Sequence, residues 1–185
     1  MGLVIVVGIR GFFLKHSPWL SNLVGSLLVV AFTVVLFGAT GAAREGLQSA
    51  ASSMTDVQLV SFHVLRLLAI GAVIKYMQGQ LPRHFVIIGA LPDFLFAVSA
   101  VVVTIFAPDG SLGRAFFIVW HLVGMSLFLG AGISMFFSVP SPFRIYHDEP
   151  DASIVFRFPM LLAPNFTVPL FMLAHAFALV KLFTI

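Results

Sequence analysis

Phe85-Val-Ile-Ile-Gly-Ala-Leu-Pro92-Asp93-Phe-Leu-Phe-Ala-Val-Ser-Ala-Val-Val-Val-Thr-Ile-Phe106 decides the fold. Asp93 is the only charge in these 22 residues. As a helix rising about 1.5 Å per residue, such a run crosses the roughly 30 Å hydrocarbon layer of a membrane. The apolar–polar alternation of a β-barrel strand is missing. On one side, the turn Gln78-Gly-Gln-Leu-Pro-Arg-His84 joins this run to another over residues 57–77. On the other, Ala107-Pro-Asp-Gly-Ser111 is a turn signal that leads to a run over 115–139. The longest polar loop, 140–158, precedes a last run over 160–183. Upstream, a small-residue loop holding Arg44, Glu45 and Asp56 separates 57–77 from an apolar run over 21–40. The reading is an all-α integral membrane helical bundle. It has five clear transmembrane helices and a short N-terminal hydrophobic segment, residues 2–14, interrupted by Arg10. A single transmembrane helical domain takes up residues 1–185. Two questions stay open: whether 2–14 crosses the bilayer, and whether Met1 is an internal methionine of a longer chain. Met1 to Ile9 has neither the positive start nor the small-residue cleavage site of a secretory signal.

Composition supports this. Hydrophobic residues make up 60% of the chain and charged residues 9%, against about a quarter charged in soluble domains. Lipid is the solvent such a surface needs. The net charge of +3 comes from basic residues scattered between the apolar runs. Without a basic patch, nucleic acid is not a partner. The chain has no cysteine, which removes disulfides, thiolate metal sites, iron–sulfur clusters and covalently attached haem. Lys75 and Lys181 lie near the ends of their runs, so no lysine is deep enough for a retinal Schiff base. No phosphate-binding glycine loop and no nucleophile elbow occurs. Whether the protein is an enzyme, and which cofactor it takes, stays open.

Alternating the loops puts Arg10, Lys15, Lys75, Arg83, Arg144 and Arg157 on one side and Arg44, Arg114 and Lys181 on the other. The positive-inside rule makes the first side cytoplasmic and the C-terminus external. Trp19 and Tyr76 at the inner face and Trp120 at the outer face are expected in interfacial belts. Ser126, Gly130 and Ser134, four residues apart, are a small-residue stripe for close helix packing or a dimer face.

Ionisable groups inside a bilayer are costly and need a partner or a task. Arg66 lies near the middle of its run. Asp93 lies at similar depth in the next, antiparallel run, so the two are expected to form an ion pair. That pair is either a structural clamp or part of a solute or proton site. Arg66→Leu is expected to do less damage than Asp93→Asn, because a lone carboxyl can become neutral. Pro92 withdraws a hydrogen bond beside the carboxylate. His63, His121 and His175 fall at one level in the outer half of the membrane. If they converge, they can hold a metal ion, ligate a b-type haem or relay protons. If they do not, each bonds separately to a neighbouring helix. Pro159, Pro164 and Pro169 break the start of the last run, where Asn165 and Thr167 either satisfy freed carbonyls or face a cavity. The candidate ligand or proton site is thus His63, Arg66, Asp93, His121, His175 and Asn165, with His63, His121 and His175 as the possible metal ligands. His16, His84 and His147 are expected to be solvated. His147-Asp-Glu-Pro-Asp151 is an acidic loop or a weak cation site.

Arg66, the Gly79-Gln-Leu-Pro82 turn, Pro92-Asp93 and the stretch from Ala163-Pro-Asn-Phe-Thr-Val-Pro169 through His175 carry a resemblance. From Arg66 to Lys181 the chain resembles a family of small uncharacterised bacterial polytopic membrane proteins. The resemblance implies a multi-pass protein of the bacterial cytoplasmic membrane and no particular activity. The functional reading is a small transporter, channel or sensor subunit with an intramembrane polar site for a small solute or protons. The alternatives are a redox protein with b-type haem or metal, and a structural subunit of a larger membrane complex. The partners are the lipid bilayer and either further copies of the chain or that complex.

Overall fold

The computed structural model describes residues 41–107 and 110–184. These are helical, with no strand among them. Four helices are long and apolar enough to cross a membrane: α2 (Asp56–Met77), α3 (Arg83–Phe106), α4 (Arg114–Ser138) and α5 (Ala163–Phe183). A shorter helix, α1 (Ala42–Ser52), packs beside α5. The segments expected at 2–14 and 21–40 lie outside the described residues, so the bundle described has four spans.

The helix ends follow from local chemistry. Thr55 opens α2 with a reciprocal cap: its hydroxyl accepts from the Gln58 N–H at 3.1 Å, and the Gln58 side chain accepts from the Thr55 N–H at 2.8 Å. Gly79 closes α2 at φ 67°, where a side chain would be strained. The Gly79 and Gln80 amides then reach back to the carbonyls of Tyr76 and Lys75. Pro82 turns the chain into α3.

Three spans are irregular. Residues Phe62–Ala69 of α2 form a 3₁₀ stretch. Val86–Ala90 of α3 and Ala163–Thr167 of α5 are wider π turns. The α3 turn comes just before Pro92, which has no amide hydrogen to continue the ladder. In α5, Asn165 Nδ2 donates to Leu161 O at 3.0 Å and Thr167 Oγ1 to Leu162 O at 3.2 Å. These polar side chains satisfy carbonyls in the broken segment.

Two apolar cores occupy the ends of the bundle. One, at the α2–α3 turn, holds Leu81, Val86, Met135, Val139, Val155 and Phe156. The other, at the opposite end, holds Val60, Phe96, Val103, Phe117, Trp120 and Leu182. Helices α3 and α4 come close at Gly89, where an added Cβ would lie 3.2 Å from Ala131 Cα. Gly130 faces Ile88 and Ser134 is buried, but Ser126 is exposed, so the small-residue stripe is only partly a packing face. Trp120 packs inside the bundle. It is 8% exposed, its ring centroid lies 4.2 Å from that of Phe96, and its Nε1–H donates to Ser99 Oγ at 3.1 Å.

Candidate functional site

Between the two apolar cores lies a polar layer. It is built by α2, α3, α4 and α5, each of which contributes at least one group.

In α2, the 3₁₀ stretch has about three residues per turn, so residues three apart lie one above the other. His63 and Arg66 are therefore aligned, and both are buried. Asp93 stands at the start of the regular part of α3. Arg66 Nε donates to Asp93 Oδ1 at 2.7 Å, and Nη2 contacts the same oxygen. The other guanidinium hydrogens point elsewhere. Nη1 donates to His175 Nε2 at 3.0 Å, and both terminal nitrogens approach Gly124 O at 3.4 Å. The rings of Phe96 and Phe128 flank the guanidinium, with centroids 4.4 and 4.1 Å from Cζ. The buried cation is thus met by an anion, hydrogen-bond acceptors and aromatic faces, which together offset its desolvation.

The three histidines converge. His63, His121 and His175 are buried, and one ring nitrogen from each lies within 4.8 Å of the others. The His121 and His175 Nδ1 atoms are 2.8 Å apart, and the His63 ring stacks on His175 with centroids 3.8 Å apart. The network fixes the tautomers. Arg has only donors, so His175 Nε2 accepts and its proton sits on Nδ1. His175 Nδ1 then donates to His121 Nδ1, which leaves the His121 proton on Nε2.

His63 differs from the other two. Both of its ring nitrogens are buried without a hydrogen-bond partner. Around it stand Trp120, Phe62 and Phe171, none of which offers it an acceptor.

Gly124 of α4 makes this packing possible. A Cβ there would stand 2.5 Å from Phe96 Cζ and collide with the His175 ring. Of the residues expected at the site, Arg66, Asp93, His63, His121 and His175 come together. Asn165 does not: it bonds to the carbonyl of Leu161 just before α5, and it stands ten residues before His175 and so about 15 Å away along the axis.

The family model for a domain of unknown function, DUF8737, matches residues 23–183. The chain belongs to that family. No curated protein and no solved structure matches it.

A second constellation lies at the α2–α3 turn. His84 is only partly exposed, contrary to the solvated state expected of it. Its Nδ1 lies 2.6 Å from Asp148 Oδ2 and its Nε2 2.5 Å from Ser138 Oγ, and its ring stacks on Tyr146. Ser138 ends α4, and the 140–158 loop folds back to bring Tyr146 and Asp148 to His84, held by Arg144 on the carbonyls of Tyr146 and Asp148 at 2.9 and 3.0 Å. Asp148 of the acidic loop is thus a partner of His84, whereas His147 is exposed.

Proposed function

We propose that this protein is a small transporter or sensor subunit of the bacterial cytoplasmic membrane that binds a small ligand at an intramembrane polar site. The site comprises His63, Arg66, Asp93, His121 and His175, in the outer half of the bilayer, and the C-terminus is external. The observation that carries the reading is His63. A buried group without hydrogen bonds costs roughly 1–3 kcal/mol. An apolar ring would avoid that cost at a position walled by aromatic side chains. A ligand that engages the imidazole would explain its presence.

The contacts also bear on the competing chemistries. A haem plane needs a slot beside an imidazole nitrogen, but His121 and His175 touch at 2.8 Å and His63 stacks on His175. A proton passed from His121 to His175 meets Arg66, which has no acceptor to receive it. A ligand no larger than a few atoms suits the site better than either. The structural-subunit reading has its own support, because the donors of Arg66 are all taken up by Asp93, His175 and Gly124.

His63→Phe separates the two. The side chain stays planar and aromatic but is larger than imidazole, so the variant is expected to fold with at most a modest loss, which thermal unfolding checks. Native mass spectrometry on protein purified from its own membranes should show a small adduct on wild type that is missing from His63→Phe. Identical spectra for both, with no adduct, would favour the structural subunit. Reporter fusions test the orientation: a C-terminal alkaline phosphatase fusion should be active and a green fluorescent protein fusion dark.

A further inference from the structure

We infer that the ligand of the polar layer is a borderline transition-metal cation, of the class of Zn²⁺, Co²⁺ or Ni²⁺, held by His63, His121 and His175. This rests on the small-ligand reading above and names the ligand's chemical class.

Geometry comes first. A tetrahedral ion with metal–nitrogen bonds of about 2.0–2.1 Å sets its donor atoms about 3.3 Å apart. Here the closest pair is 2.8 Å apart and all three donors lie within 4.8 Å. Loading opens the closest pair by about 0.5 Å and closes the widest by no more than about 1.5 Å. Because an imidazole nitrogen binds a metal in the plane of its ring, the His63 ring must also turn out of its stack on His175. Three helices, α2, α4 and α5, each supply one ligand. The donors are already gathered without help from a flexible loop.

Donor chemistry selects the metal class. All three candidate ligands are imidazoles, which suit zinc, copper, nickel and cobalt and not the hard cations calcium and magnesium. The nearby carboxylate, Asp93, is taken up by Arg66. The chain has no cysteine, so thiolate-dependent capture is not an option. Three protein ligands leave a fourth position open, as in sites where the ion exchanges or binds a further small ligand.

Charge is the main obstacle. Arg66 and Asp93 cancel, so an added divalent ion places two positive charges in a low-dielectric layer. The hydrogen-bond chain reduces this. The proton between His175 Nδ1 and His121 Nδ1 occupies the position the ion needs, so the ion displaces it to solvent and leaves one net added charge. Nitrogen Nε2 of His175 keeps its hydrogen bond from Arg66. Arg66 is in this account a positioning residue: it orients the His175 ring and stabilises the negative charge left on it. His63 gains the partner it lacks.

The test uses the full chain, free of any histidine tag, in nanodiscs after chelator treatment. Co²⁺ titration should bring up the visible d–d bands of a four-coordinate ion at one equivalent, and Zn²⁺ should abolish them. His63→Phe, which should keep the fold, and His175→Ala should each weaken Co²⁺ binding at least tenfold. His147→Ala, on the exposed loop, should leave it unchanged. Arg66→Lys, which keeps the charge but loses the fork, should shift the d–d spectrum. The inference is overturned if wild type binds no Co²⁺, or if His63→Phe binds it as wild type does. A metal-free protein that still carries an organic adduct lost in His63→Phe would overturn the metal and leave the ligand site standing.

Discussion

Replacing Asp93 with asparagine removes the anion from Arg66 while keeping nearly the same volume. In the native protein one carboxylate oxygen receives two nitrogens of a guanidinium whose side chain is fully buried. Breaking such a pair from one side typically costs about 3–5 kcal/mol, because the other charge stays buried without compensation. Asp93 is itself 19% exposed, which puts the expected loss near 3 kcal/mol, the lower end of that range. The contacts of Arg66 raise the loss expected for Arg66→Leu above what the sequence suggests. The substitution also strips donors from His175 Nε2 and Gly124 O and removes the cation between Phe96 and Phe128. We expect a loss of similar size. In the double variant Arg66→Leu/Asp93→Asn no charge remains unpaired, and the coupling should return about 1–3 kcal/mol of the summed losses. The measurement is reversible unfolding by sodium dodecyl sulfate in mixed micelles, followed by circular dichroism, for all four proteins. Losses that simply add, or an Asp93→Asn protein as stable as wild type, would refute the account of the pair.

Gly124→Ala should cost about 1–3 kcal/mol, since the new methyl collides with the His175 ring and Phe96, and it should weaken Co²⁺ binding with no ligand changed. Gly132→Ala on the same helix meets nothing within 4 Å and should be neutral or slightly stabilising in the same unfolding assay. His84→Ala should free the loop between α4 and α5, so that limited proteolysis cuts near Tyr146 several-fold faster than in wild type. Equal cleavage rates would mean that the contacts of Asp148 and Ser138 with His84 do not hold the loop.

Much of the scaffold could be read from hydropathy, because crossing a bilayer imposes a length and a composition on each described span. Depth could be read too: Arg66 and Asp93 are neighbours because a short turn makes their spans antiparallel, and the histidines share a level because each sits a similar distance from the same end of its apolar run. Rotation about each helix axis was hidden. Uniformly apolar spans give little amphipathic signal, so whether the imidazoles faced one another was left to packing. The 3₁₀ stretch that aligns His63 with Arg66 has no signature in Phe62–Ala69, which reads as ordinary helix. Gly124 carries no sequence signal, because a lone glycine is common in membrane helices, and its role depends on His175 packing against it. The packing of Trp120 against His63 and Phe96 is likewise hidden, because the preference of indoles for interfaces says nothing of which way the ring faces. The partners of His84 come from the end of α4 and the loop after it, more than fifty residues away and beyond any local pattern.

The 3₁₀ stretch in α2 has a consequence for how the protein fits its bilayer. A 3₁₀ helix rises about 2.0 Å per residue against about 1.5 Å for an α-helix. The eight residues Phe62–Ala69 therefore add about 4 Å to a span that its 22 residues would otherwise make about 33 Å long. A helix of about 37 Å overshoots an average hydrocarbon layer, which it must accommodate by tilting or by thickening the lipid around it. The stretch that brings the guanidinium and the imidazole into line also makes α2 sensitive to membrane thickness, so lipids of different chain length should act on the strand of chemistry it carries.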